Sequence, residues 1–333
     1  THIANTGSAT RRWEHNDDRD LAGHLDLRYS HGLMTYSVGG MYRDKKRGSF
    51  FNEYTFDSTT GTANPQYRGE DWNNFDELKL KPRPYGNIGD PLNYDATEQI
   101  GAAYAMAKAK GKRWDATVGL RAEHTVQGYT LIFPRDSDPD GEQRYTDILP
   151  SAHFKYEIHP KGRLHLSYNR SVNRPSFFEI VPYTIINEDY KEKGNPDLEH
   201  TVADNIDLRY EFFPKGSEQV MVGLFYKHLH NPIEYGLINE GQDTYYKPMN
   251  LGNATNAGVE IDVMKNFKCF GVKANYTCTH SRITTSKRTM QGSEVISVNQ
   301  SRPLFGQAAH VANVSLLYKS SRWHWEGQIS YGY

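Results

Sequence analysis

Between residues 204 and 212 the chain changes character at every step. Ile206, Leu208, Tyr210 and Phe212 share one parity, and Asp207, Arg209 and Glu211 share the other. A period of two marks an extended strand, whose successive side chains leave opposite faces. The pattern returns where Trp114, Ala116, Val118, Leu120 and Ala122 alternate with Asp115, Thr117, Arg121 and Glu123. Leu164, Leu166 and Tyr168 alternate in the same way with Arg163, His165, Ser167 and Asn169. Further runs fall at 21–29, where His24, Asp26 and Arg28 take the polar side, and at 152–158, 259–263, 270–276 and 323–331. The chain is predicted to be all-β and built from antiparallel hairpins.

Two architectures share this pattern. A soluble sandwich turns its polar face to bulk water and makes its core from the apolar one. A membrane barrel inverts this, with lipid outside and a wet lumen inside. The connections separate them. Tight turns centred on Gly32, Gly111, Pro160-Lys161, Lys215-Gly216, Lys268-Cys269 and Ser320-Ser321 alternate with long polar stretches at 43–91, 134–147, 173–203, 232–256 and 281–307. Short turns at one end and long loops at the other are the plan of an outer-membrane barrel, and compact soluble domains rarely carry several loops this long. The periodic runs are about ten residues, the length a tilted strand needs to cross a bilayer. Tyr29, Tyr42, Tyr168, Tyr210, Tyr226, Tyr318 and Trp323 lie near the ends of these runs, as an interfacial girdle requires. The expected fold is therefore an up-and-down transmembrane β-barrel wall of about a dozen strands. That is a partial wall beside the about 22 strands of a wide, plugged barrel.

Composition removes the other classes. No stretch of the 333 residues is apolar for long enough to make a spanning helix. Lys and Arg number 39 against 40 Asp and Glu, so there is no basic excess of the kind a nucleic-acid partner requires. Aromatic residues at 13%, with 23 Tyr, argue against disorder. Cys269 and Cys278 are nine positions apart, about 30 Å along one strand, so two free thiols are expected.

Specific residues then carry a family resemblance. The run from Leu166 through Asn173, Arg174, Pro175 and Ser176 resembles a barrel segment of TonB-dependent outer-membrane receptors of the Bacteroidetes type. Gly194, Asn195, Pro196, Asp197, Leu198 and Glu199 follow, then the strand from Asp204. A run from Asn250 to Glu260, which includes Leu251 and Gly252, resembles the next recurrent element. Arg302, Pro303, Leu304, Phe305, Gly306 and Gln307 resemble a later one. The likeness is good from Glu98 onward and weak before it. It implies an outer-membrane location, lipid around the wall, a plug domain inside it and coupling to TonB through a preceding segment. It implies a ligand such as a siderophore, oligosaccharide or peptide. No plug or coupling segment is legible, so residues 1–333 are expected to be one barrel segment of a longer receptor.

The candidate site residues lie in the long loops. Arg174, Tyr183, Tyr190 and Asn195 in the third loop, Trp72 with Phe75 and Tyr85 in the first, and Tyr245 and Tyr246 in the fourth are placed to touch a ligand. Aromatics with a few polar partners suit sugars, siderophores and peptides alike. Pro175 and Pro196 cannot donate to a ladder and mark strand ends, while Gly194 and Gly252 suit turns. Asp136, Asp138 and Asp140, with Gly141 and with Asp147 at the twelfth place, match the ligand spacing of a calcium loop. An acidic turn explains the same residues. Otherwise no cofactor is expected. His228 and His230 are expected to be solvated lumen side chains. No catalytic motif is present in the sequence, and an enzyme is not expected. Import is weighed against a passive porin or adhesin barrel and against a soluble carbohydrate-binding module.

Overall fold

A computed structural model describes residues 9–57, 79–82, 92–132, 139–186, 191–241, 243–291, 294–320 and 322–333. Its strands are β1 (Ala9–His31), β2 (Met34–Asp57), β3 (Lys79–Pro82), β4 (Tyr94–Lys110), β5 (Trp114–Leu131), β6 (Asp140–His159) and β7 (Gly162–Asn173). A short helix α1 (Phe177–Ile180) and strands β8 (Thr184–Ile186), β9 (Lys191–Lys193), β10 (Thr201–Phe212), β11 (Gln219–His230), β12 (Ile233–Glu240) and β13 (Asp243–Asn250) follow. The chain ends with β14 (Asn253–Phe267), β15 (Phe270–Gln291), β16 (Glu294–Arg302), β17 (His310–Ser320) and β18 (Trp325–Gly332).

Fourteen strands form one sheet, ordered β1-β2-β4-β5-β6-β7-β10-β11-β14-β15-β17-β18, with β3 paired to β2 and β16 to β15. Neighbours on this path are antiparallel throughout. Each strand pairs with the next one up the path, so the wall is an up-and-down meander. Among the described residues β1 and β18 are its two ends and do not pair with each other.

Register explains which face is which. Tyr29, Tyr36, Ala107, Val118, Ala152, Tyr168, Ile206, Tyr226 and Ala257 stand in one cross-strand row through nine strands. Met34, Ala109, Ala116, Phe154, Leu166, Leu208, Leu224 and Val259 form the row beside it. These apolar side chains are open on their outer side, with Leu27 at 61%, Leu208 at 38% and Ile329 at 77% exposure. An apolar face continuous over this many strands is far larger than a soluble monomer presents to water. Lipid is the solvent that fits it. The opposite face is wet. Asp207 stands between Ser167 and Phe225, Arg209 between His165 and Gly223, and Glu211 between Arg163 and Met221. Arg209 and Glu211 form an ion pair at 3.2 Å.

Aromatics ring the short-turn end. Trp114 faces Tyr156, Tyr210 and Phe212 precede one turn, and Phe270 packs on Tyr318 with ring centroids 5.1 Å apart. Tyr42, Tyr168 and Tyr226 lie higher on the strands, so the girdle has two levels.

The strands correct the expected lengths. β1, β2 and β6 run to 23, 24 and 20 residues, about twice a bilayer crossing. β2 continues to Asp57, β6 begins at Asp140, and β15 reaches Gln291 before β16 turns back. Three stretches expected to be loops are thus partly ladder. Backbone hydrogen bonds need no apolar side chains, so a strand persists where the hydrophobic period has stopped. A second, four-stranded sheet ordered β12-β13-β9-β8 was also not expected. Strands of three residues, such as β8 and β9, are too short to show a period.

The buried core lies on the inner face, at the long-loop end. Tyr94, Ala96, Tyr129 and Leu131 of β4 and β5 pack against Phe177, Ile180, Val181 and Leu198 of the segment between β7 and β10. That segment folds inward over the wall.

Candidate functional site at the long-loop end

The segment between β7 and β10 is tied to the wall by side chains reaching for backbone and by one ion pair. Arg174 Nη2 donates to Glu123 Oε2 at 2.5 Å and to Thr125 Oγ1 at 3.0 Å. Gln127 donates to the Pro175 carbonyl at 2.8 Å, and Gln143 to the carbonyls of Pro196 and Leu198 at 2.9 and 2.8 Å. Ser176 caps α1. Its hydroxyl accepts from the Glu179 N–H, and the Glu179 carboxylate accepts from the Ser176 N–H at 2.7 Å. This reciprocal box fixes the start of a helix too short to stand by propensity. A Cβ added at Gly194 would collide with the Val181 carbonyl oxygen. Glycine is needed there for close approach, not for a turn. Gly252 does need a turn conformation, with φ at +65°.

The same segment is knitted to the next two loops. Asn195 donates to the Pro248 carbonyl at 2.9 Å. Asn250 accepts from the Glu199 N–H at 2.8 Å and donates to the carbonyls of Glu199 and Asn231 at 2.9 Å. Buried Glu234 of β12 accepts from Arg302 Nη2 at 2.6 Å and from the Phe305 N–H at 2.8 Å. The sequence elements around Arg174, Asn195, Asn250 and Arg302 thus lie far apart in the chain and share one chemistry. Each converts a loop into a part of the mouth.

This assigns several predicted residues to packing. Tyr183 is fully buried, its hydroxyl donating to Glu192 at 2.7 Å and its ring 4.2 Å from Phe178. Burial, and then Glu192, push its phenol well above the ordinary value. Asn195 is buried, and Arg174 is spent on Glu123 and Thr125. None of the three presents a surface open to a ligand. Trp72, Phe75, Tyr85 and Tyr190 lie outside the described residues, as do Asp136 and Asp138.

Tyr245 and Tyr246 do sit together with groups that can hold a ligand. Tyr246 stacks on Tyr235 with centroids 5.1 Å apart. Burial pushes the Tyr235 phenol up to about 12. Lys193 Nζ lies 5.3 Å and Lys191 Nζ 5.9 Å from the Tyr245 ring centre. Lys191 is also paired with Asp243, holding that carboxyl below its ordinary range. Sequence reasoning passed over Lys191, Lys193 and Tyr235. Their only signal was charge and aromaticity within the two loops that hold Tyr183 and Tyr246. Below the mouth, a groove of about 600 Å³ on the wet face is lined by Asn169, Ser171, Asn205, Asp207, Lys227, Asn256 and Glu260, among others. Amides, a hydroxyl and charges of both signs suit reversible hydrogen bonding to a polar solute.

Two expectations are overturned. Asp140 and Asp147 belong to one strand, facing Thr130 and Glu123 of β5 respectively. Seven residues separate them by about 23 Å and place them on opposite faces, so they cannot share a calcium ion. Asp147 instead accepts from His200 at 2.9 Å, and His200 stacks on Tyr145. Among the described residues no cluster of three His, Cys, Asp or Glu can hold a metal. His228 and His230 share the parity of Leu224 and Tyr226 and so stand on the outer face, not in the lumen. One residue of register decides the face.

A twelve-strand meander with a lipid face, a wet face, short turns at one end and loops folded inward at the other is a membrane β-barrel wall. The chain belongs to the outer membrane protein β-barrel family, whose model matches residues 71–333, and is a protein of the outer membrane. No curated protein sequence matches it. Among solved structures it is similar to the siderophore receptor PiuA from Acinetobacter baumannii, at a TM-score of 0.63 and 13% identity over 92% of this chain and 44% of that one. It is similar to the ferric citrate transporter FecA, at 0.61 and 14% over 96% and 42%. It is also similar to the hemophore receptor HasR of Serratia marcescens, at 0.56 and 11% over 98% and 59%. Identities this low carry the fold alone. The chain spans less than half the length of PiuA and FecA and 59% of HasR.

Proposed function

We propose that this chain is wall and mouth of a TonB-dependent import receptor of the Bacteroidetes type, in a Gram-negative outer membrane. The long loops face outward and the tight turns face the periplasm. A scarce ligand of the siderophore, oligosaccharide or peptide class docks among Tyr245, Tyr246 and the lysines beside them. Trp72 and Tyr190 are proposed to contribute from their loops. The ligand then descends along the polar inner face, past a plug domain that TonB moves. The wall does no chemistry. It supplies a hydrogen-bonded cylinder, the β form that lipid permits.

The observation that carries this reading is the knitted mouth. Three loops bonded to each other and folded inward over a polar groove make a fixed funnel, and a fixed funnel lowers the ordering cost of capturing a dilute solute. A passive pore has less need of one. The test uses the full reading frame in cells. Uptake of labelled ferric siderophores, oligosaccharides and peptides is measured with and without TonB. Uptake of one class that stops without TonB, and an affinity for it that falls about tenfold in Tyr245→Ala (about 1.4 kcal/mol), supports import. Uptake that continues without TonB overturns it in favour of a porin.

A further inference from the structure

The outer face carries a polar constellation at the upper edge of the apolar band. Arg170, Asp204, His228, Thr255 and Arg282 stand in one cross-strand row over β7, β10, β11, β14 and β15. The row beneath it is Tyr168, Ile206, Tyr226, Ala257 and His280. The parity is that of the lipid-facing residues. On β15 the two faces are plain, because Arg282 is exposed while Ser281 and Ile283, its neighbours in sequence, are buried beneath the loops.

The constellation is built rather than scattered. Asp204 accepts from both arms of the Arg170 fork at 2.9 Å and from the Tyr168 hydroxyl at 2.8 Å, with His230 Nε2 at 3.4 Å. The fork uses two of the guanidinium's five donors. His230 lies edge-on to His228, with ring centroids 4.4 Å apart, and the buried Nδ1 of His228 has no hydrogen-bond partner among the described residues. Among the described residues, the Arg282 guanidinium hydrogen-bonds to the Ser301 hydroxyl, at 3.3 Å. Two arginines and three histidines therefore face outward around a single carboxylate.

Height on the wall says what they meet. Arg170 is eight residues above Gly162 at the foot of β7. Eight residues rise about 27 Å along the strand, or about 20 Å across the membrane at a 35–45° tilt, near the top of a 25 Å apolar band. The five strands put about 19 Å between the two arginines. Arg282 is twelve residues above Phe270 at the foot of β15, about 30 Å across the membrane by the same rise and tilt. The row therefore climbs from the top of the band into the headgroups, where basic clusters select anionic lipid. Arginine is the side chain best fitted to phosphate.

We infer that the outer face of β7–β15 around Arg170, His228, His230 and Arg282 is a docking surface for a phosphate-bearing lipid headgroup of the outer leaflet. It rests on the sidedness proposed above and is independent of import. The test takes the full-length protein, purified in mild detergent, and measures lipid retained per chain by native mass spectrometry after exchange with lipid A, dephosphorylated lipid A or phosphatidylglycerol. Lipid A should be retained, and retention should fall at least fivefold in Arg170→Gln/Arg282→Gln. Arg282→Gln alone, at a side chain with no ion pair among the described residues, should lower it two- to threefold even if the double variant folds poorly. Arg209→Gln on the wet face should leave it unchanged. Equal retention of dephosphorylated lipid A, or equal loss in Arg209→Gln, overturns the proposal. Preference for phosphatidylglycerol also overturns it and points to reversed sidedness. Uptake measured in the same variants reads import separately.

Discussion

The two ends of β10 obey different rules. At 206–212 each side chain is placed by parity, because lipid lies on one side and water on the other. At 201–204 and in the segment before it, place is set by individual bonds, such as Thr201 to the Asn231 carbonyl and Gln143 to the carbonyls of Pro196 and Leu198. The band is held by a solvent boundary that acts on every residue alike. The mouth is held by a small set of named contacts that reach across as many as 71 residues of sequence. The band should therefore fail by changes of polarity, and the mouth by changes of shape.

The largest expected effect tests the band. Leu208→Arg should cost about 2–4 kcal/mol where Leu208 lies near the bilayer midplane, read as a lost midpoint in urea-driven refolding into vesicles. Asp207→Asn, one residue away on the wet face, should change it by less than about 0.5 kcal/mol. Spin labels at 206, 208 and 210 should be shielded from a water-soluble quencher, and labels at 207, 209 and 211 should not. Equal access to both sets would erase the distinction between faces.

The second effect tests the mouth by shape. Gly194→Ala drives a Cβ into the Val181 carbonyl, and overpacking of this kind costs about 1–3 kcal/mol. The cost should be local. Protease should cut within 181–198 more quickly, while heat-modifiable migration of the barrel stays normal. A variant that loses the barrel as well would show wall and mouth to be one cooperative unit.

These outcomes follow the line along which the sequence was legible. Alternation at 114–123, 163–169 and 204–212 is enough to place β5, β7 and β10, their faces and the membrane, because one boundary condition writes the same period on every strand. Arg174 and Asn195 were singled out by the family likeness, yet their work could not be inferred, whereas the turn expected at Gly252 is found, with φ at +65°. The partners of Arg174 and Asn195, which are Glu123, Thr125 and Pro248, carry no local mark that names a residue some fifty positions away. The apparent calcium loop failed for a related reason. Its spacing suits ligands converging in a turn, whereas Asp140 to Asp147 is ladder in the structure.

A third effect is smaller because its loss is shared. Arg174→Gln removes the ion pair to Glu123, while Arg121 still holds that carboxylate at 2.6 Å. About 1–2 kcal/mol of local stability is expected to go, seen as faster hydrogen exchange at 174–180. A second substitution, Arg121→Gln, should then cost more than it does in the parent, because Glu123 is left buried without a cation. Strict additivity would mean that the two arginines do not share one carboxylate.

The smallest effect is one of pH and is confined to the mouth. β9 and β13 meet over only two pairs, Tyr245 with Lys191 and Tyr246 with Glu192. The Lys191–Asp243 pair stands beside them at the surface. The hydrogen bond from Lys191 holds the Asp243 carboxyl below its ordinary value. A carboxyl whose folded value is depressed adds stability that is fully present above its unfolded value of about 3.9. That stability is lost as pH falls through the lower folded value. Acidification from pH 5 should therefore loosen the β9–β13 contact first, with the wall unchanged. Pepsin digestion at pH 2.5 and pH 4 should cut the parent's 240–247 region faster at the lower pH by more than the protease's own pH dependence. Asp243→Asn should remove that excess and match the parent's acid behaviour at both values. An excess that survives in Asp243→Asn would assign the acid response to another group and leave the pair a solvated surface contact.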